Sequence, residues 1–374
     1  MKKFLIVTTI QDTVEAFLIP HIKMLEAEGY KVSIATNIYK EIKEELKDNE
    51  WINISFSRNP FSFNSFKAVK EMRALIRSGK FEMVHFHTPV AAFLGRYAAM
   101  KEKQKNIIYT AHGFHFYEGA SRINWCIYYP MELLAARWTD KLITINEEDY
   151  KRASAFKLRR DGKVYKVSGV GVDSAHYSSG DAEKIKKELL IRDPEKTVLM
   201  IGELNKNKNQ AQLIKALELL RLKGRNIKAI FVGIGEQEGI LKKMAKELGV
   251  KVAFLGYRKD IKDIIDAADI VVSMSYREGL PRNIMEAMSA GKPLVVTDIR
   301  GNRDIVFHEE NGLLVALNDI DATASALESL LYNPKLYKKI SENNYKKIES
   351  YSIVSILESM KEVYGFEKVS DSQS

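Results

Sequence analysis

Cysteine is almost absent from this 374-residue sequence. The single one, Cys126, excludes an intramolecular disulfide and a cysteine-based metal cluster. A reducing cytoplasm is therefore the expected compartment. Long apolar runs are also missing, and no stretch approaches the ~20 residues that span a bilayer. The start, Met1-Lys2-Lys3 and then Phe4 to Ile10, imitates a signal peptide. Its apolar run is short, contains two threonines and ends at Gln11-Asp12 without a small-residue cleavage site, so it reads as a first core strand. Helix-turn-helix, RRM and zinc signatures are lacking and the positive charge is diffuse, which speaks against nucleic acid as a partner.

What is present is ordinary globular composition, 45% apolar and 29% charged. The length suits two domains, each with its own core. The net charge of +9 is uneven: residues 1–175 carry 27 Lys+Arg against 20 Asp+Glu, and the remainder 31 against 29. A basic first half points to an anionic partner such as membrane lipid or a lipid diphosphate.

Short apolar strands alternate with helical stretches throughout. In the first half the strands are Phe4–Thr9, Val32–Thr36, Met83–His87, Ile107–Thr110, Leu142–Ile145 and Val164–Val167. Helices are predicted over Phe17–Glu28 and Phe66–Ser78, closed by Gly29 and Gly79. In the second half the strands are Val198–Ile201, Ala229–Val232, Val252–Leu255, Ile270–Met274, Leu294–Thr297 and Leu313–Val315. Such alternation predicts α/β structure with parallel sheets, whose ligands bind at the carboxyl ends of the strands.

One stretch organises the rest: Glu278-Gly279-Leu280-Pro281-Arg282-Asn283-Ile284-Met285-Glu286. It follows the apolar run Ile270–Met274. Pro281 suits the first turn of a helix, and Gly291 with Pro293 ends it. Amides at the helix N-terminus favour an anion. Gly279 allows close approach, Arg282 adds positive charge, and Glu278 and Glu286 can accept hydrogen bonds from sugar hydroxyls. A nucleotide-sugar fits this pattern. A strand–loop–helix with two solvated glutamates is the structural alternative.

Glu278 and Glu286 form an E-x7-E signature that resembles the retaining glycosyltransferases of family 4. The resemblance implies a GT-B fold: two Rossmann-like doubly wound domains facing across a cleft. Residues 1–177 would form an acceptor-binding domain and 178–352 a nucleotide-sugar donor-binding domain. A helix over about 353–366 would pack back on the first, and 367–374 would form a flexible tail. Val167-Ser168-Gly169-Val170-Gly171-Val172-Asp173 is similar to the family's hinge, V-P-N-G-V-D, with Ser-Gly in place of Pro-Asn.

The same resemblance assigns residues. Glu278 and His112 are the catalytic candidates, Glu278 holding sugar hydroxyls rather than acting as a covalent nucleophile, and Glu286 holds ribose hydroxyls. Gly202-Glu203-Leu204-Asn205-Lys206-Asn207-Lys208 resembles G-R-L-x-x-x-K, a phosphate clamp in which Glu203 replaces Arg; Lys206 is a possible substitute. Gly202, Asn205, Lys208, Gly235, Tyr257, Gly279, Leu280, Arg282 and Asn283 are thus expected around the donor, and Thr9, Gln11, His87 and Phe114 on the acceptor side. The loop after the first strand lacks the glycines many relatives have, so only its location carries over. His85 is expected to pack structurally.

Four histidines, His85, His87, His112 and His115, lie in two pairs, but the resemblance implies neither a cofactor nor a metal. Thr110-Ala111-His112-Gly113-Phe114-His115-Phe116-Tyr117 is similar to bacterial enzymes that build capsule, exopolysaccharide or O-antigen on a polyprenyl diphosphate carrier. That implies a UDP-sugar donor, a lipid-linked saccharide acceptor, and a cytoplasmic protein peripheral at the inner face of the membrane. Aromatics beside basic residues in Asn59–Lys80 and Ile123–Trp138 suit such a surface, or else these rings build the core of the first domain. The cluster Arg152, Lys157, Arg159, Arg160 and Lys163 could also meet headgroups. Alternatives are a sugar-nucleotide epimerase or hydrolase of the same fold and a catalytically silent relative, for which Glu203 and the glycine-free first loop argue.

Overall fold

The computed structural model describes residues 1–56 and 63–366. Phe61, in the first aromatic stretch, and the tail from 367 lie outside the described residues. The chain forms two compact units: Met1–Val170 together with the residues from Ile356, and Gly171–Ser355.

The first unit is built on a parallel sheet of seven strands: β1 (Lys2–Ile10), β2 (Tyr30–Asn37), β3 (Glu50–Asn53), β4 (Met83–His87), β5 (Ile107–Ala111), β6 (Lys141–Thr144) and β7 (Lys163–Lys166). Their order is β3-β2-β1-β4-β5-β6-β7. Both faces of the sheet are covered, so its central strands read as continuous apolar runs. Along β1, Leu5 and Val7 enter the core beneath the helices Phe63–Gly79, Pro89–Lys101 and Arg122–Ala136. Phe4 and Ile6 point to the other face, where the helices Ile19–Ala27 and Ile353–Tyr364 pack. Edge strand β3 escaped the sequence reading. Its four residues, Glu-Trp-Ile-Asn, are half-exposed or exposed and carry no apolar run. The predicted helix over Phe17–Glu28 opens as a π-helical turn, Val14–Leu18, because Pro20 cannot supply an amide to an α-helical ladder that continues through it.

The second unit repeats the plan with β8 (Lys196–Ile201), β9 (Ile227–Val232), β10 (Lys251–Phe254), β11 (Ile270–Ser273), β12 (Leu294–Thr297) and β13 (Leu313–Val315). The order is β10-β9-β8-β11-β12-β13, again all parallel. In each sheet the strand order reverses once, between β1 and β4 and between β8 and β11. At such a switch point the connections leave in opposite directions and open a crevice at the strands' carboxyl ends.

The units divide at Val170/Gly171, earlier than the boundary after residue 177 that the sequence suggests. Val172 is fully buried in the second core, and its N–H donates to the Tyr351 carbonyl at 3.0 Å. The short helix Ser174–Tyr177 packs on the helix Arg282–Ser289. The segment is polar in composition, but Tyr177 and the buried Val172 tie it to the second unit.

Candidate active site

The loop between β11 and the helix Arg282–Ser289 lies at the switch point of the second sheet. Ser275, fully buried, donates its hydroxyl to Glu278 Oε1 at 2.7 Å. The same oxygen accepts from Lys208 Nζ at 2.6 Å. Lys208 comes from the loop after β8, the other strand at the crevice. Both side chains are partly exposed, so the pair can exchange partners with a ligand. One backbone and one side-chain hydrogen bond fasten the two loops, Tyr276 N–H donating to the Asn207 carbonyl at 2.8 Å and Asn207 Nδ2 to the Arg277 carbonyl at 3.1 Å.

Pro281 sits at the N-cap rather than inside the first turn. Its carbonyl accepts from Ile284 and Met285. The helix closes as the sequence predicts, with Gly291 at φ +62 and Lys292 N–H reaching back to the Ala287 carbonyl. One turn into the helix, Glu286 is buried and forms an ion pair with Arg282, whose Nε lies 3.1 Å from the carboxylate. Burial raises the Glu286 carboxyl above the usual range, and Arg282 and the Tyr177 hydroxyl hold the rise in check. Tyr177 is pushed up to about 12, chiefly by burial and then by Glu286. Tyr177 was not legible as a site residue; an aromatic in a polar segment was its only signal.

Glycines let the supporting loops touch. A Cβ on Gly233 would lie 2.0 Å from the Gly202 carbonyl oxygen, so the turn after β9 closes on the loop that carries Lys208. Gly235 abuts the Leu204 backbone in the same way, which gives it a packing role. A Cβ on Gly301 would meet the Gly279 carbonyl at 2.6 Å, which seats the loop after β12 against the organising motif.

Several expected donor residues are otherwise engaged. Asn283 Nδ2 donates to the Ile201 carbonyl at 2.8 Å, tying the helix to the end of β8. Asn205 Oδ1 accepts from Lys208 N–H, and its Nδ2 donates to Glu203 at 2.8 Å. The glutamate in the usual arginine position thus braces the loop. Leu280 packs on the core. Tyr257 is 74% exposed beyond β10. Arg258 is committed to Asp260 and Glu188.

In the first unit, the switch point between β1 and β4 brings Thr9 and Thr88 together, with their hydroxyls 2.6 Å apart and Thr9 N–H donating to Thr88 Oγ1 at 3.0 Å. Thr88 has φ +66, an unusual conformation for a β-branched residue and one typical of functional loops. Its position before Pro89 was the available signal, since that neighbour disfavours helical backbone. His87 Nδ1 and His112 Nε2 lie 3.1 Å apart, and the His85 ring lies tilted against His87 with centroids at 4.1 Å. His85 is held by Tyr364 and Thr110, as a packing residue would be. Burial lowers all of these histidines, His112 to about 4, so they are neutral at pH 7. Among the described residues no group of three or more His, Cys, Asp or Glu side chains is placed to hold a metal ion.

Two acceptor-side expectations need correction. Gln11 is fully buried. Its Nε2 donates to Glu15 at 2.7 Å and its Oε1 accepts from Tyr39 and Lys40 N–H, so its amide braces the loop after β2. Phe114 is also buried, stacked on Phe116 at 4.6 Å. Both stand close to the strand ends in sequence, but their side chains turn into the domain. In the basic cluster that starts at residue 152, Lys157, Arg160 and Lys163 are exposed, while its other two members are tied down. Arg152 pairs with Glu148 and lies over Trp125, and Arg159 pairs with Asp140.

Two doubly wound parallel units, with a lysine–carboxylate pair and a helix N-terminus at the switch point of the second, define the GT-B class. The sequence matches the families described as Glycosyl transferases group 1, over residues 181–347, and Glycosyl transferase 4-like, over residues 7–146. It is 35% identical to a Bacillus subtilis (strain 168) protein named as the glycosyltransferase EpsD, over 97% of this chain and 96% of that one. It is 29% identical to the Escherichia coli UDP-Gal:alpha-D-GlcNAc-diphosphoundecaprenol alpha-1,3-galactosyltransferase, over 82% of this chain and 81% of that one. The crystal structure of Anabaena HepE in complex with UDP and glucose shares the fold, with a TM-score of 0.80 at 21% identity, covering 98% of this chain and 100% of that one. The chain belongs to the group 1, family 4-like glycosyltransferases and is a glycosyltransferase of GT-B fold.

Proposed function

We propose that the enzyme moves a hexose or N-acetylhexosamine from a UDP-sugar to a polyprenyl-diphosphate-linked saccharide, in bacterial surface polysaccharide biosynthesis, with retention of anomeric configuration. The observation that carries this reading is the Lys208–Glu278 pair at 2.6 Å across the switch point, beside Arg282 and the buried Glu286. Cations for a diphosphate stand next to carboxylates for sugar and ribose hydroxyls. The lipid-diphosphate acceptor is supported by the Escherichia coli relative, whose name carries a diphosphoundecaprenol substrate.

In the proposed reaction the bond from the anomeric carbon to UDP breaks and negative charge gathers on the departing phosphate. Lys208, Arg282 and the N-terminus of the helix Arg282–Ser289 stabilise that charge before any solvent must reorganise. The acceptor hydroxyl attacks from the same face, and its proton passes to the phosphate oxygen that leaves. Glu286 holds the ribose, Glu278 the reacting sugar, and His112, neutral, hydrogen-bonds a sugar hydroxyl. The reaction uses no metal, so EDTA should leave turnover unchanged, and a loss restored by a divalent cation would overturn that part.

UDP release from a panel of UDP-sugars, with and without a polyprenyl-diphosphate-linked sugar in detergent, tests the reading. Acceptor-dependent release with one donor, lost in Glu286→Ala, is expected. Release that ignores the acceptor would replace transfer by hydrolysis or epimerisation. No release, and no thermal stabilisation by UDP, would sink the donor site.

A further inference from the structure

The two aromatic–basic stretches, distant in sequence, meet on the outer face of the first unit. A groove of about 830 Å³ runs between the helices Phe63–Gly79 and Pro89–Lys101 and the end of Arg122–Ala136. Its floor includes Phe93, Tyr97 and Trp138, ring against ring at 5.5–5.7 Å. Phe66 stands at its rim, 73% exposed. Leu134, also lining the groove, continues into an uncovered stripe along its own helix with Ile127 and Ile123, the last 69% exposed. The spacing of 123, 127 and 134 places these three on one helical face. Other rings of that helix, Trp125, Tyr128 and Tyr129, turn inward onto the core.

Cations surround this apolar surface. Lys70, Arg73 and Arg77 line the groove, Lys67 projects beside Phe66, and Arg122 and Arg137 are exposed at the two ends of the stripe. Lys101 lies over the Tyr97 ring at 5.5 Å. Two carboxylates answer them: Glu102, which binds both Arg73 and Arg77, and Glu71, 3.8 Å from Lys67. The face therefore keeps a positive excess around exposed apolar side chains and interfacial Tyr and Trp. A bilayer with anionic headgroups complements both properties at once. A soluble protein partner would need a matching acidic rim around an apolar ridge.

We infer that this face docks on the surface of an anionic lipid bilayer, with Phe66, Ile123, Ile127 and Leu134 entering the headgroup layer. The inference rests on the proposed lipid-linked acceptor and gives it a route. The helices of this face begin at the carboxyl edge of the sheet, where Thr9, Thr88 and His112 stand, so a carrier lipid held in the bilayer lies alongside the end of the unit that carries them.

The test is flotation of the full chain with vesicles of phosphatidylcholine, alone or with about a third phosphatidylglycerol. Binding to the mixed vesicles is expected, at least ten-fold stronger than to phosphatidylcholine and weakened by salt. Two variants, Phe66→Ser/Ile123→Ser/Ile127→Ser and Lys67→Glu/Lys70→Glu, should each lose ten-fold or more while keeping the melting curve and the UDP release measured in detergent. Failure of the wild type to float, or flotation unchanged in both variants, would overturn the surface while detergent turnover still stood. A concentration-dependent dimer abolished by the triple variant would assign the face to a second copy of the chain and equally overturn it.

Discussion

Lys208 and Glu278 lie 70 residues apart and share one hydrogen bond. Each limits what the other can do. Without a ligand Glu278 neutralises the ammonium, and an entering diphosphate must compete for it. Lys208→Ala should therefore lower kcat by roughly 10²–10³-fold, the scale of losing one charge-stabilising donor, while the Ser275–Glu278 hydrogen bond stays in place. Single-turnover kinetics with the preferred UDP-sugar would measure this. Tyr177 acts through Glu286. Tyr177→Phe keeps the ring but removes the hydroxyl that restrains a carboxylate already raised by burial. UDP affinity should drop several-fold, and the drop should deepen as pH falls, because a carboxyl with a raised pKa protonates sooner. Isothermal titration with UDP at two pH values would check it. An equal loss at both would make Tyr177 a packing residue only.

At the scale of elements, the helix Arg122–Ala136 is anchored by a buried ion pair that periodicity could not reveal. Arg96 is fully buried. It donates to Glu132 at 2.7 Å and lies 3.9 Å from the Tyr109 ring, whose hydroxyl also donates to Glu132 at 3.1 Å. One network thus joins two helices and β5. Removing the cation strands a carboxylate in the core, so Arg96→Met should cost about 3–5 kcal/mol in urea unfolding. Arg96→Met with Glu132→Gln should recover part of that loss, because no uncompensated charge then remains. The strands, in contrast, were legible almost one for one, since parallel sheets covered on both faces demand continuous apolar runs. β3 failed that rule as a half-exposed edge strand. Gln11 and Phe114 show the opposite limit. Their place beside strand ends was correct, but side-chain direction depends on partners such as Glu15, Tyr39 and Phe116 that arrive from elsewhere in the chain.

Across the first unit, histidines converge from several elements: the buried His21 on the helix Ile19–Ala27 and His85 and His87 on β4, and the half-buried His112 after β5. Burial lowers His21 and His112 to about 4 and the other two well below their ordinary value. The unfolded chain takes up these protons below its ordinary pKa of about 6.5. Between about 6.5 and 4 the unfolded state thus holds more protons, and stability falls as pH falls through that window. On the order of 1–2 kcal/mol per histidine should be lost by pH 5. Denaturant unfolding at pH 7 and pH 5 would measure the loss, and His21→Leu should narrow the gap. A gap unchanged by that substitution would place the pH dependence elsewhere.

The sequence by itself determined the class of architecture, because strand and helix periods are local and both sheets are covered. It determined the E-x7-E motif, because one loop and one helix hold both carboxylates and no distant partner is needed to place them. Tertiary structure alone decided which lysine meets Glu278, which tyrosine meets Glu286, and which polar groups are consumed as braces. Those pairings depend on the switch points of the two sheets, where strands distant in sequence become neighbours. It also brought the two aromatic–basic stretches onto one face. Each helix pattern shows which residues can share a side, but only packing against the sheet determines which of those sides remains uncovered.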